Sequence, residues 1–315
     1  MVQACDLHIH SNFSDGTCSP AELIDIAQML GLQAVALCDH NTVAGLPGFL
    51  EAARGREVEA VPGIEFSADY GGTEVHILGL FIQPEHYADV TALLDEMLRR
   101  KDESNAALCR NLTAAGFPLN YAAIKSATPA GQVNRAVIAA EMVRLGYCAS
   151  VKEAFSTRLS VRQGYYVPPA RPDALRVIRF IKSIGSVAVL AHPFLNLDEE
   201  RLRVFLPRAK EAGLDGMEVY YPLFDENTTQ LAVALAETFD LLPSGGSDFH
   251  GANKPDIQMG TGRGNLHIPR KLLEQLSECR KDLAQIDGAV QYGVSGNGLR
   301  LAEGEYVEAD FRVSV

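Results

Sequence analysis

Hydrophobic and polar positions alternate in two periods along the chain, and the switches between them mark its elements. In residues 4–10, Cys5, Leu7 and Ile9 alternate with Asp6, His8 and His10, the period of a strand whose i and i+2 side chains share a face. Further strands are expected at 33–38, 58–61, 75–82, 186–191, 216–220 and 241–243, short apolar runs each near a turn signal or a ligand-type side chain. Helices fall between them. Ser19-Pro20-Ala21-Glu22 has the sequence of a capping box with proline at the first helical position, and Gly31 suits the C-terminal cap. Other helices are expected near 199–211 and 226–239. Repeated strand–helix units imply parallel pairing, and polar side chains at several strand ends suit a barrel better than the single crevice of an open sheet. The expected fold is therefore α/β, a distorted seven-stranded (β/α) barrel.

From 83 to 169 the pattern turns helical, including 90–110 and 133–145, over a length that excludes a plain loop. The expected organisation is a barrel built from 1–82 and 170–280, a helical insertion at 83–169 capping the active site, and a C-terminal extension at 281–315. That extension carries Gly288, Gly293, Gly296 and Gly298 before short alternation at 306–315, the pattern of a terminal hairpin without a legible role. No internal repeat or low-complexity tract interrupts the chain.

Composition narrows the class. At 315 residues with 47% hydrophobic and 22% charged positions, the chain can bury a substantial core and is neither fibrous nor disordered. A net charge of -12 argues against a broad nucleic-acid surface. It leaves an anionic small substrate open, because three divalent cations beside Asp15, Glu65 and Asp248 would make a pocket locally positive. The first residues lack a signal-peptide pattern, and no run approaches the roughly 20 apolar residues of a membrane span, so a cytoplasmic location without a membrane partner is expected. The six cysteines form no Cys-x-x-Cys pair and read as buried reduced thiols.

The chemistry lies in nine side chains at expected strand ends or in strands: His8, His10, Asp15, His40, Glu65, His76, His192, Asp248 and His250. His8 and His10 point the same way on their strand and can reach one metal ion. Taken singly, His76 is a hydrogen-bonded strand histidine, and Asp15 before Gly16 is a turn carboxylate. Gathered at the ends of several apolar strands, the nine point to a metal site. His86 and His267 lie outside the set and read as surface or supporting residues.

Read in order, His8-x-His10, Asp15, Asp39-His40, Glu65, His76, Ala191-His192-Pro193 and Gly246-Ser247-Asp248-Phe249-His250 resemble the PHP (polymerase and histidinol phosphatase) family, within the amidohydrolase-like enzymes. The match covers most of residues 4–255. The resemblance implies a trinuclear centre: His8, His10, Glu65 and Asp248 on one ion, Glu65, His76 and His192 on a second, and Asp15, His40 and His250 on the third. Mixed imidazole and carboxylate ligation suits manganese, zinc or iron alike. Asp39 is expected to support a neighbouring group rather than to bind metal.

The activity implied is metal-dependent hydrolysis of a phosphate ester in a small metabolite or nucleotide, by a hydroxide whose pKa the metal lowers towards about 7. Glu65, Asp248 and His250 are expected at the catalytic centre. Arg135 matches an arginine that contacts substrate phosphate in nucleotide-processing relatives, and a guanidinium suits phosphate through paired hydrogen bonds. Arg162 stands near the position of a lysine in Gly-Lys-Pro-x-Tyr-Val and is expected to replace it, with Tyr165 and Tyr166 lining the pocket. Two positions depart from those relatives: Val137 where they carry histidine, and Asn41 where they carry aspartate. These departures weaken a 3′,5′-bisphosphate nucleotidase and leave a sugar phosphate or cyclic phosphodiester as competitors, with histidinol phosphate a lesser option. A non-catalytic metal-bound sensor or interaction domain is the second class of function, and hydrolysis of a carbon–nitrogen or ester bond is the third. The oligomeric state is not legible.

Overall fold

All seven expected strands form in the computed structural model, which describes residues 4–128, 133–169 and 171–287. They are β1 (Ala4–Ile9), β2 (Ala34–Leu37), β3 (Glu59–Tyr70), β4 (Thr73–Leu80), β5 (Val187–Leu190), β6 (Gly216–Tyr220) and β7 (Leu242–Gly245). An eighth, β8 (Ile268–Pro269), makes the sheet eight-stranded, in the order β7-β6-β5-β4-β3-β2-β1-β8. β8 pairs antiparallel with the start of β1 and is too short for its period to show in sequence. Beyond β7 the chain turns onto the other end of β1: the Asp248 N–H donates to the His8 carbonyl at 2.8 Å, and the His10 N–H to Phe249 at 2.9 Å. The sheet is thereby nearly closed into a barrel.

Two pairings differ from the parallel expectation. β3 and β4 form an antiparallel hairpin, and β4 runs antiparallel to β5. The cause is local: Gly71 and Gly72, with φ of 56° and 80°, join β3 to β4 with no helix to carry the chain back. β3 also runs on to Tyr70, past the Pro62-Gly63 pair that closes its apolar run in sequence. Gly63 is needed there, since an added Cβ would lie 2.9 Å from Cys38 Sγ. This extension carries Glu65 into the sheet interior.

Along β2, Ala34 and Ala36 enter one buried cluster and Val35 and Leu37 another, so the sheet is apolar on both faces. Helix α1 (Pro20–Met29) starts with the expected capping box at Ser19 and Glu22. With α2 (Leu46–Ala52) it covers part of the sheet. Then follow α3 (Tyr87–Ala114), α4 (Tyr121–Ala127), α5 (Arg135–Arg144), α6 (Val151–Ala154), α7 (Ala174–Ser183), α8 (Glu199–Glu211), α9 (Glu226–Thr238) and α10 (Arg270–Asp287).

Between β4 and α7 the described residues contain no strand, and their helices build a core of their own from Leu108, Leu112, Ile138, Met142 and Leu159. The 28-residue α3 links the two cores: Val90 and Leu94 belong to the barrel cluster, Leu108 and Leu112 to the helical one. The stretch from Met97 to Asn105 is held between them. None of the six cysteines is joined in a disulfide; four are buried, and Cys18 and Cys279 are partly exposed. No helix among the described residues is long and apolar enough to cross a membrane. The expected hairpin at 306–315 lies outside the described residues.

Candidate metal centre

The nine candidate ligands converge at one end of the sheet. His8 and His10 come from the end of β1, Asp15 from the turn after it, His40 from the end of β2, Glu65 and His76 from the β3–β4 hairpin, His192 from the end of β5, and Asp248 and His250 from the segment after β7. Glu65 is their hub. Its Oε2 lies 3.3 Å from both His8 Nε2 and His10 Nε2 and 2.9 Å from His40 Nδ1, while its Oε1 lies 2.8 Å from His76 Nδ1 and 3.0 Å from His192 Nε2. Asp248 Oδ1 is 3.2 Å from His10 Nε2, and Asp15 Oδ1 is 3.1 Å from His250 Nε2.

Three groups bring their ligand atoms within 4.8 Å of one another: His10, Asp15, His40 and His250; His8, His10 and Glu65; and His40, Glu65 and His76. Metal–ligand bonds of about 2.1 Å place neighbouring ligand atoms about 3.0 Å apart at right angles and about 3.4 Å apart at the tetrahedral angle. The contacts around Glu65 fall in or close to that range. His8 Nε2 and His10 Nε2 face each other at 3.0 Å. His40 Nδ1 and Glu65 Oε2 are buried and 2.9 Å apart, yet neither makes a hydrogen bond. Buried ligand-type atoms left this close together without a hydrogen bond are relieved by nearby positive charge, so the donor set fits divalent cations.

Electrostatics agrees. Burial alone would raise the Glu65 carboxyl, but the imidazoles of His40, His76 and His8 outweigh it and hold the group well below the usual carboxylate range. Asp248 is likewise driven down against its burial by His10, His8 and Lys254. The carboxylates act in return on the rings: against the opposing effect of burial, His76 is raised to about 10 by Glu65 and Glu74, and His10 to about 9 by Asp248 and Glu65. A site this anionic at its hub calls for positive charge.

Several supporting residues carry no motif in sequence. Glu218, buried on β6, accepts from His8 Nδ1–H at 3.1 Å and from the His192 backbone N–H at 2.7 Å, which turns His8 Nε2 towards the site. Asp6 accepts from the Ser247 N–H and hydroxyl and from the Gly260 N–H, fixing the segment that carries Asp248. Tyr221 and Lys254 both donate to Asp248 Oδ2, at 2.8 and 2.6 Å. Asp39 has a supporting place: it accepts from the Ser11 N–H and from the hydroxyls of Ser11 and Ser14, holding the turn that carries Asp15. The signal for Glu218 was a lone carboxylate in an apolar strand, which cannot be buried without donors.

Among the described residues, three of the five non-glycine residues with positive φ lie in or beside this site: Asn41 at 50°, His192 at 26° and Asp248 at 55°. Such backbone persists where surroundings over-determine it. Asn41 shows how: its side chain accepts from the Ser67 N–H and donates to the Ser67 hydroxyl, tying the end of β2 to β3.

The ligands open into a cavity of about 330 Å³ between the sheet end and the helices, lined by Phe13, Asp15, His40 and His76 on one side and Met97, Lys101, Arg135 and Tyr166 on the other, with Arg171 beside them. Arg135 donates to the Leu159 carbonyl at 3.2 Å and lies 4.4 Å from the centre of the Tyr166 ring. Arg162 is exposed and outside the lining; Lys101 and Arg171 supply the further cations instead. Tyr165 is partly buried in the helical core. His86 pairs with Asp89, His267 is exposed, and neither lines the cavity. A second cavity of about 400 Å³ lies by Tyr70, Arg201 and Arg208, away from the ligand cluster. Its Arg201 is engaged by Thr73 and the Tyr70 carbonyl.

Comparison with known proteins matches residues 6–157 to the PHP domain. The chain is 34% identical over 251 residues to a 5′-3′ exoribonuclease of Haemophilus influenzae, spanning 79% of this chain and 91% of that protein. It is 30% identical over 258 residues to a phosphoribosyl 1,2-cyclic phosphate 1,2-diphosphodiesterase of Eggerthella lenta, spanning 78% and 94%. A solved structure of a candidate metal-dependent phosphoesterase from Bifidobacterium adolescentis superposes with a TM-score of 0.75 at 28% identity, over 88% of this chain and 96% of that one.

Proposed function

Because this chain belongs to the PHP family and is a metal-dependent phosphoesterase, we propose that it hydrolyses a phosphate ester of a small metabolite or a single nucleotide unit at the cavity over Glu65. The observation that carries this reading is the junction of two features: five imidazoles around one buried carboxylate, and a cavity above them whose walls hold Lys101, Arg135 and Arg171. Three divalent ions would be held there: one by His8, His10, Glu65 and Asp248, one by Glu65, His76 and His192, and one by Asp15, His40 and His250. Manganese, zinc and iron all suit such ligands. When bound, such ions polarise phosphoryl oxygens and lower the pKa of water to about 7.

The chain's own residues then have defined tasks. Glu65 and Asp248 remain anionic and would supply the carboxylate oxygens that hold the cations. Glu218 keeps the His8 proton on Nδ1, so that Nε2 presents its lone pair. Arg135, braced by Leu159 and Tyr166, offers its guanidinium to a phosphate oxygen.

A cavity of about 330 Å³ is small among ligand sites, at the low end of the roughly 300–1,000 Å³ range, and so favours one unit of substrate at a time. The exoribonuclease relative favours a second reading in which that unit is the end of an RNA strand. A net charge of -12 opposes a broad nucleic-acid surface but not capture of one terminal nucleotide. The deciding experiment is a panel of sugar phosphates, mononucleotides, 3′,5′-bisphosphates, cyclic phosphodiesters, 5′-phosphorylated oligoribonucleotides and carboxylic esters and amides, each with Mn²⁺, Zn²⁺ and Fe²⁺. Phosphate release or strand shortening is expected, with at least about 100-fold loss in Glu65→Ala and Asp248→Ala. Undiminished turnover in either folded variant would remove the mechanism.

A further inference from the structure

One side chain in the cavity has no role in holding metal or phosphate. Phe13 is 40% exposed, and among the described residues it is the exposed large hydrophobic that lines the cavity. It sits on a turn held by several hydrogen bonds: its own N–H donates to Ser11 Oγ at 3.1 Å, the Ser14 hydroxyl to Asp39 at 2.6 Å, and the Gly16 N–H to the Ser11 carbonyl at 2.9 Å. Behind the ring stands Gly45, where an added Cβ would come within 3.2 Å of it, so the absent side chain lets the ring rest on backbone. The ring is thus fixed in place with one side left to solvent, an arrangement that leaves apolar surface in water until a ligand covers it.

Helix α3 supplies the other half. Met97, Leu98, Lys101 and Asn105 recur at helical spacing and all line the same cavity. Lys101 makes no hydrogen bond or ion pair among the described residues, whereas Arg171 is paired with Glu74 at 2.6 Å. Burial disfavours the Lys101 ammonium, and the through-space pull of the Asp15 and Glu74 carboxylates does not fully offset it. The cavity therefore offers a flat apolar surface and an available cation together, and the ligand chemistry that matches both is an aromatic base joined to a phosphorylated sugar.

We propose that Phe13 is a specificity-determining residue that stacks the nucleobase of the substrate, while Lys101 receives an anionic oxygen of the same molecule. This rests on the phosphoesterase reading of the site and adds the residues that would tell a base-bearing phosphate from a base-less one.

The test compares adenosine 5′-monophosphate with ribose 5-phosphate on the full chain loaded with Mn²⁺. Both kcat/KM for phosphate release and equilibrium affinity by calorimetry are measured. In Phe13→Ala the preference for the nucleotide falls by about 5- to 150-fold, the range that loss of one base–aromatic stack gives. Phe13→Tyr, which keeps the ring, holds the preference within about threefold. Lys101→Met weakens both ligands. Equal loss on both ligands in Phe13→Ala assigns the ring to packing and overturns the proposal, as does an unchanged ratio or a wild type that does not prefer the nucleotide. If neither ligand is hydrolysed while the binding preference is present and vanishes in Phe13→Ala, the stacking role stands and 5′-monoester hydrolysis falls, leaving the diester and bisphosphate substrates of the wider panel.

Discussion

Replacing Glu218 by Gln isolates what a buried carboxylate does for a neighbouring imidazole. Both residues of the His8–Glu218 pair are fully buried. One carboxylate oxygen accepts from His8 Nδ1–H at 3.1 Å and the other from the His192 N–H at 2.7 Å. Gln keeps the shape but offers one acceptor and one amide NH₂, so one of the two N–H groups must face a donor. If the amide oxygen stays with His192, nothing holds the His8 proton on Nδ1. The proton then favours Nε2, the atom 3.0 Å from His10 Nε2 and 3.3 Å from Glu65 Oε2, and that lone pair leaves the ligand set. A buried donor left unpaired costs about 1–3 kcal/mol. That is a factor of about 5 to 150 in a binding equilibrium. Outer partners of metal-binding imidazoles typically carry about 10- to 100-fold in metal affinity or activity, which agrees with this range. The expected result in Glu218→Gln is a fall of about 10- to 100-fold in Mn²⁺ affinity, read by competition with a fluorescent chelator, with circular dichroism showing that the variant is folded. Wild-type affinity in a folded variant would refute the reasoning, because the tautomer of His8 would then be set by something other than Glu218.

Other consequences follow from single contacts. In Gly246→Ala the new Cβ would lie 2.2 Å from His8 Cβ and 2.7 Å from His8 N, so β1 must shift; a loss of about 3 kcal/mol in urea unfolding is expected, and a wild-type midpoint would contradict the close approach. Arg135→Ala should raise KM for a phosphate substrate by about 10- to 150-fold, the value of hydrogen bonds to a charged group, while Arg162→Ala stays within about twofold. Equal effects in steady-state kinetics would refute the placement of these two arginines. Stripping metal with a chelator should abolish phosphate release and lower Tm by about 5 °C or more, since an ion at 100 times its Kd contributes about 2.7 kcal/mol. Unchanged Tm and activity after verified stripping would show that the cluster needs no ion.

What could be read from the sequence was whatever depends on neighbours along the chain. His8 and His10 are two residues apart on a strand, so their shared direction follows from the period alone, and Ser19 to Glu22 form their cap within one turn. The β3–β4 hairpin was hidden because Pro62-Gly63 looks like punctuation, while Gly63 is there for contact with β2. Lys101 was not legible as a cavity residue for a different reason. Lys101 ends the run Arg99-Arg100-Lys101, and in composition it resembles any solvated helix cation. Its helical phase was present in the sequence, since Met97 and Asn105 stand four residues before and after it. The surface that phase would face was not, because the cavity forms only when the turn at Phe13, the hairpin at His76 and the segment at Arg171 are folded against α3. The two ends of α3 are anchored in different cores, Val90 and Leu94 in one and Leu108 and Leu112 in the other, and this pins the rotation of the helix between them. A substitution that loosens either anchor, such as Leu94→Ala, should therefore weaken phosphate binding through Lys101 without touching the ligand cluster, raising KM while leaving Mn²⁺ affinity at its wild-type value. Loss of metal affinity in that variant would show instead that α3 helps to hold the metal centre itself.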